Sequence, residues 1–330
     1  MRILALIPGG ISDQLLFFPA LEAIKKAYPK AEIGVVAEPS AIAAYRVSKI
    51  VNTVIPFAFS ANNNSPSDWA NLLGIIRDRE YEVAITTHLK WNQGLLLWLS
   101  GVPTRVAYSS TTAPWFYTAT VPEPPASTYL ADSYRKLLSA IGIEPSPSAP
   151  TIQPNINVPE ADISWANALR DRLNLKNGYV LMYPGPATDQ SPSAEKATYP
   201  IQSWQTLISD FRAKQPELPV VLLQTEESVA QVSALKSSDS GLLIATANNL
   251  GQSAAMVAGA DLLLTPDSPI MQLAIALKVF TLGLFGTQSP EAMLPLAQGE
   301  ETRFIGIPSP TNSVADIAPE TILKKVWGGS

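Results

Sequence analysis

Five short runs in the second half of the chain, YVLMYPG, LPVVLLQT, GLLIATA, DLLLTPD and VFTLGLFG, are apolar almost without interruption, and they narrow the fold more than any other feature. A strand with one wet face alternates apolar and polar residues. A continuously apolar strand needs cover on both faces, the condition of a parallel sheet with helices above and below it. The first half carries the same pattern in RILALIP, IGVVAEP, TVIPF, EVAITTH and TRVAY. Between the first two of these, DQLLFFPALEAIKKAY has helical spacing, with Leu16, Ala20, Ala23 and Ala27 sharing a face with Leu21 and Ile24. The class is therefore α/β. Between the halves lies EPSPSAPTIQPNINVPEAD, with prolines at 145, 147, 150, 154 and 159 and no apolar period, which is the composition of a linker. The sequence predicts one domain over residues 1–150 and a second over 151–330.

The two halves open alike. ILALIPGG (residues 3–10) and YVLMYPGP (residues 179–186) are each a buried strand ending in Pro-Gly, so each sheet sends its first loop out at the carboxyl edge, where open α/β sheets bind ligands. Two such sheets facing each other form a central cleft, the default place for a substrate. PGGISDQ lacks the Gly-X-Gly-X-X-Gly spacing of dinucleotide sites, and no Gly-X-X-X-X-Gly-Lys-Ser/Thr run occurs.

Composition removes other classes. Charged residues make up 15% of the chain and the formal net charge is −5, so no broad basic surface exists for nucleic acid. There is no cysteine, and His88 is the single histidine, which argues against disulfides, thiolate chemistry and a histidine-built metal site. The start, MRILALIPGG, reads as a strand rather than a secretory leader. No uninterrupted apolar stretch is long enough for a membrane span. The expectation is a cytoplasmic protein, with peripheral contact at a membrane surface left open.

At DLLLTPDSPIMQLAIALK a buried strand hands over to a helix. Ser268 suits the N-cap and Pro269 the first helical position, with Ile270, Leu273, Ala274 and Leu277 inward. A helix N-terminus at a carboxyl sheet edge favours an anion such as phosphate. The plainer alternative is a well-capped core helix.

Here the sequence resembles glycosyltransferase family 9, the lipopolysaccharide heptosyltransferase group. The family's Asp-Ser-Gly-Pro-Met-His-Leu-Ala-Ala-Ala, followed by a strand ending Phe-Gly, is matched by DSPIMQLAIAL and LGLFGTQSP; its opening strand, Gly-Asp loop and Thr-Pro-Ala-Leu helix by PGGISDQLLFFPALEAIKKAYPKAEI. YPGPATDQSPSAEKATYPIQSW stands where the family has a His-Pro-Gly-Ala-Ser loop and Lys-Arg-Trp-Pro. QTEES, YEVAITTH and LSGVPTRVAY are further echoes, in the family's order.

The resemblance implies a GT-B type fold: two Rossmann-like domains with mostly parallel sheets, acceptor on the N-terminal one, nucleotide-sugar donor on the C-terminal one, the C-terminal helix packing back on the first domain. It implies an inverting transfer that needs no metal, from a nucleotide diphosphate sugar, heptose and an ADP-linked donor among the candidates, to a cell-envelope glycolipid or lipopolysaccharide-type acceptor at the cytoplasmic face of the inner membrane. The absence of an Asp-X-Asp triplet agrees. Asp13 matches the acidic residue of the Gly-Asp loop and becomes the candidate general base, its alternative being a helix N-cap, a role Ser12 would also suit. Donor contacts are implied for Thr188, Lys196, Glu226 (with Glu227 competing), Asp267, Ser268 and Gln272, and acceptor contacts for His88 and Lys90. Lys25, Lys26 and Lys30 are either a lipid-facing cluster or a solvated face. Two departures weigh against turnover: Pro269 stands at the family glycine, removing an N–H, and Gln272 at the family histidine, leaving a neutral amide. The alternative function is a noncatalytic nucleotide-sugar or glycan binding protein derived from the same fold.

Overall fold

The computed structural model describes residues 1–59, 64–87, 90–144, 153–186, 198–295 and 303–328. The chain divides into two compact units, Met1–Asn157 and Val158–Ser330. The division falls later than residue 150 because the end of the proline-rich strap is tied to the first unit. The Asn157 N–H donates to the Val47 carbonyl at 2.8 Å, and the Asn155 side chain bonds Glu22.

In the first unit six strands, β1 (Arg2–Ile7), β2 (Glu32–Ala37), β3 (Thr53–Pro56), β4 (Val83–Thr86), β5 (Thr104–Tyr108) and β6 (Ala119–Val121), form one sheet in the order β3-β2-β1-β4-β5-β6. Every pairing is parallel. In the second, β7 (Val180–Met182), β8 (Val220–Gln224), β9 (Leu243–Thr246), β10 (Leu262–Pro266), β11 (Phe280–Phe285) and β12 (Phe304–Pro308) run β12-β11-β10-β7-β8-β9, again all parallel. Both sheets thus share one doubly wound order, with the direction of winding reversing between β1 and β4 and between β7 and β10. All of β4 and β10, and all but the first residue of β1, β2 and β11, are buried, as continuously apolar strands covered on both faces must be.

Helices supply that cover. In the first unit these are α1 (Ile11–Ala27), α2 (Pro66–Asp78), α3 (Trp91–Ser100) and α4 (Leu130–Lys136). Their ends are set by local chemistry. Ser65 caps α2 in a reciprocal box with Asp68, and Gly101, at φ +77°, ends α3 in the left-handed conformation glycine adopts freely. In the second unit the core gathers Tyr199, Trp204, Leu207 and Phe211 against Val180, Met182, Leu222 and Leu264, each such burial contributing about 1.5–3 kcal/mol before entropy is counted.

The C-terminal helix Pro319–Trp327 is packed within the second unit. It lies on the helix Ile201–Lys214 of its own unit, where Trp327 Nε1 donates to Asp210 at 2.7 Å and its ring meets Phe211 at 5.1 Å. Ile322, completely buried, joins that core.

Candidate functional site

The turn from β1 into α1 is built around one carboxylate. The first helical residue is Ile11 and the N-cap is Gly10, so neither Ser12 nor Asp13 is the N-cap. Asp13 stands at the third helical position, and its Oδ2 accepts the Gly10 N–H at 2.8 Å. In the first turn it also lies in the favourable field of the helix dipole. Its Oδ1 accepts from the Tyr134 hydroxyl of α4 at 3.5 Å, and Tyr134 is in turn held by the Phe17 ring, 5.5 Å away between centroids. Burial first, and the Asp13 charge second, push the Tyr134 phenol far up, so it stays protonated and donates. Gly9 makes the geometry feasible. At φ +121°, a Cβ there would lie 2.4 Å from Asp13 Oδ2.

Gln14 completes the turn, and nothing in the sequence singled it out. Fully buried, it donates from Nε2 to the Ile7 carbonyl at 2.8 Å and accepts from the Tyr45 hydroxyl at 2.6 Å. The Asp13 carboxylate is therefore fixed at the carboxyl end of β1, beside the reversal of winding. The loop after β4 leaves the other side of that reversal. His88, placed there by the sequence, lies outside the described residues, and Lys90 is the exposed N-cap of α3. Of the lysine cluster, Lys26 and Lys30 are exposed, whereas Lys25 bonds the Ala31 carbonyl.

In the second unit the equivalent reversal is framed by β7 and β10. The Tyr183 N–H donates to the Leu264 carbonyl at 3.0 Å, and at Gly185, φ +85°, an added Cβ would touch the Pro266 ring at 3.4 Å. Thr188 and Lys196 lie outside the described residues. Tyr183, also unforeseen, is 2% exposed and hydrogen-bonds the Thr225 hydroxyl at 3.4 Å; burial pushes its phenol up to about 12. Beyond Thr225, Glu226 and Glu227 are exposed on a 3-10 turn, Glu226–Ser228, that precedes the helix Val229–Ser238.

At β10 the helix Pro269–Ala276 starts as the sequence predicts, with Ser268 as N-cap and Pro269 first. The Ser268 hydroxyl is already engaged: it accepts the Met271 N–H at 3.3 Å and shares a 2.9 Å hydrogen bond with Thr265. Asp267 is half-buried, its N–H on the Leu284 carbonyl at 2.9 Å. Gln272 is inside the domain. It is 0% exposed, its Nε2 donates to the Met293 carbonyl at 3.2 Å, and its Oε1 has no hydrogen-bond partner. Among the described residues no three His, Asp or Glu side chains converge as a metal site would require, and no helix is long and apolar enough to cross a membrane.

Two all-parallel sheets of one doubly wound order, each carrying its polar loops at the reversal of winding, match the GT-B fold of solved heptosyltransferases. The chain belongs to glycosyltransferase family 9 (heptosyltransferase), whose family model matches residues 69–314. It is similar in fold to a family 9 glycosyltransferase from Veillonella parvula DSM 2008 (TM-score 0.79, 18% identity, covering 99% of this chain and 96% of that one). It is also similar to the Escherichia coli ADP-heptose lipopolysaccharide heptosyltransferase II (TM-score 0.75, 18% identity, 99% and 98% covered). A relative by sequence is the Photosynthetic NDH subunit of subcomplex B 1, chloroplastic, of Arabidopsis thaliana, 21% identical over 97% of this chain and 72% of that protein.

Proposed function

We propose that the chain is an inverting, metal-independent glycosyltransferase that moves a sugar, heptose foremost, from a nucleotide diphosphate donor to a cell-envelope glycolipid or lipopolysaccharide-type acceptor at the cytoplasmic face of a membrane. Asp13 takes the proton from the acceptor hydroxyl as that oxygen bonds to the anomeric carbon; the bond from that carbon to the diphosphate breaks, and the nucleotide leaves with its electron pair. The observation that carries this reading is the Asp13 carboxylate itself, held by Gly10 on one oxygen and Tyr134 on the other at the carboxyl edge of β1. Fixed donors on both oxygens keep a base oriented before the substrate arrives. Family membership supports the reaction class, and the name of the E. coli enzyme supports an ADP-linked heptose and a lipopolysaccharide acceptor. Lys196 and Thr188 are the groups proposed to meet the departing diphosphate, with Glu226 at the ribose.

Consumption of ADP-heptose with a lipopolysaccharide-core acceptor tests it. Asp13→Asn keeps an acceptor for the Gly10 N–H but removes the base, and turnover should fall about a hundredfold or more. Equal turnover by the variant would contradict the role.

A second reading, a noncatalytic nucleotide-sugar or glycan binding protein, draws on Gln272 and Ser268, whose polar groups are turned into the domain, and on Pro269, which offers no N–H. The Arabidopsis relative, by name a subunit of a photosynthetic complex, points the same way. Calorimetric titration with nucleoside diphosphates and nucleotide sugars separates the two: binding without consumption by any envelope acceptor favours the second.

A further inference from the structure

The exposed face of α3 is apolar where a helix face in water is ordinarily polar. Trp91 and Trp98, seven residues apart, share it with Leu95 and are 59% and 52% exposed; Leu99, beside Trp98, is 40% exposed. A second element extends this surface. The 3-10 turn Pro114–Phe116 brings the Phe116 ring to 6.1 Å from Trp98 and 5.8 Å from Trp115, leaving Trp115 71% exposed. Gly94 gives the turn room to close on α3, since a Cβ there would lie 3.1 Å from the Phe116 side chain. Three of the chain's 7 tryptophans thus stand in water along one surface.

The segment that carries the rings has charge of one sign. Between Glu82 and Glu123 the chain carries no Asp or Glu, although its 28 acidic residues outnumber its 23 basic ones. Arg77 donates from Nε and Nη2 to the Leu99 carbonyl at 3.2 and 2.7 Å. Arg105 donates from Nε to the Phe116 carbonyl at 2.7 Å and from Nη1 to that of Val102 at 2.6 Å. Both guanidinium groups are anchored by neutral carbonyls of the backbone that carries the aromatic rings, and among the described residues neither makes an ion pair. Asp78, next to Arg77 in sequence, lines a separate pocket with Arg2, Glu32 and Tyr81.

We propose that this face docks the protein on a bilayer containing anionic phospholipid, with Trp98 and Trp115 at headgroup depth and Arg77 and Arg105 against headgroup phosphates. Indole rings, apolar in body with one N–H to leave in water, are the side chains that partition to that depth. A chain of net charge −5 is repelled by an anionic surface in most orientations, so an arginine-bearing face whose aromatic segment, residues 83–122, carries no acid favours the one that docks. A protein partner or a second copy would find no carboxylates on residues 83–122 to complement its own cations, whereas a sheet of phosphates needs none. This surface is distinct from the lysines of α1, and the inference does not depend on the sugar chemistry proposed above.

The test is sedimentation of the full chain with phosphatidylcholine vesicles made with and without phosphatidylglycerol, alongside quenching of tryptophan fluorescence by lipids brominated on the acyl chain. Binding should require phosphatidylglycerol, weaken as salt rises, and bring quenching. Trp98→Ser combined with Trp115→Ser should lower partition about tenfold or more, and Trp115→Ser alone should lower it measurably. Arg77→Gln should cost about fivefold on anionic vesicles. The thermal midpoint of the tryptophan variants should stay near that of the parent, since both rings are mostly outside the core. No binding to anionic vesicles at low salt, or partition unchanged in the double variant, overturns the proposal. So does a parent dimer that the double variant dissociates while vesicles bind neither protein, which would assign the face to a second copy.

Discussion

The Tyr134 hydroxyl donates to Asp13 Oδ1 from another helix, 121 residues away in sequence. Because burial and the neighbouring carboxylate hold that phenol protonated, the donor persists over the whole working pH range. Tyr134→Phe removes it. A carboxylate that loses a hydrogen bond to its charged form holds its proton more tightly. The acid limb of kcat/KM should therefore move to higher pH, and the rate at the optimum should fall roughly fivefold, as expected for a bond worth about 1 kcal/mol. A profile superimposable on the parent's would sink Tyr134 as a positioning residue, because loss of packing alone lowers activity without moving the limb.

Gly9 and Gly10 make a contrasting pair. At Gly9 a methyl group meets the Asp13 carboxylate and the backbone is at φ +121°; at Gly10 nothing lies within 4 Å of the place a Cβ would take. Gly9→Ala should cost about 1–3 kcal/mol and abolish most turnover by displacing Asp13. Gly10→Ala should cost no more than about 1 kcal/mol. Denaturant midpoints for the two variants check the ranking.

Glu22 on α1 gives a pH dependence. Burial pushes its carboxyl above the usual range, the Asn155 bond only partly opposing it, and Oε1 has no partner. The folded state therefore holds this proton more tightly than the unfolded state. Its stabilising influence is complete below the ordinary glutamate range and is lost as pH rises through the raised value. Glu22→Gln should raise the thermal midpoint at neutral pH, with the gain vanishing as pH falls toward about 4. A gain independent of pH would mean the carboxyl does not titrate differently on folding.

Gln272 tests the packing at β10 in the opposite sense. A glutamate there would set an oxygen against the Met293 carbonyl inside the domain, with no cation among its observed partners. Gln272→Glu should be tolerated while protonated and destabilise by about 3 kcal/mol at neutral pH. Its thermal midpoint should therefore part from the parent's as pH rises from about 4. Coincident curves across that range would show that the site admits water.

Ten of the twelve strands among the described residues announce themselves as short, largely apolar runs. β6 and β12 do not: Ala119–Val121 is only three residues long, and Phe304–Pro308 follows a polar segment and is broken by Gly306. Ser268 was legible as an N-cap because capping is local chemistry, settled within four residues. Gln272 was not legible as buried, since the carbonyl that receives its amide comes from Met293, 21 residues on. For the same reason Tyr134 and Gln14 carry no mark in the sequence of what they hold.

The order of residues alone determined the α/β class, the paired strand-to-Pro-Gly openings and the helix starts, because periodicity and capping act over a few neighbouring positions. Folding in three dimensions decided that Asp13 would be gripped from two sides, that Gln272 would face inward, and that Trp327 of the C-terminal helix would dock on Asp210. Each of those outcomes depends on a partner far along the chain, and a donor or a hydrophobic surface acts only on what packing brings within a few ångströms.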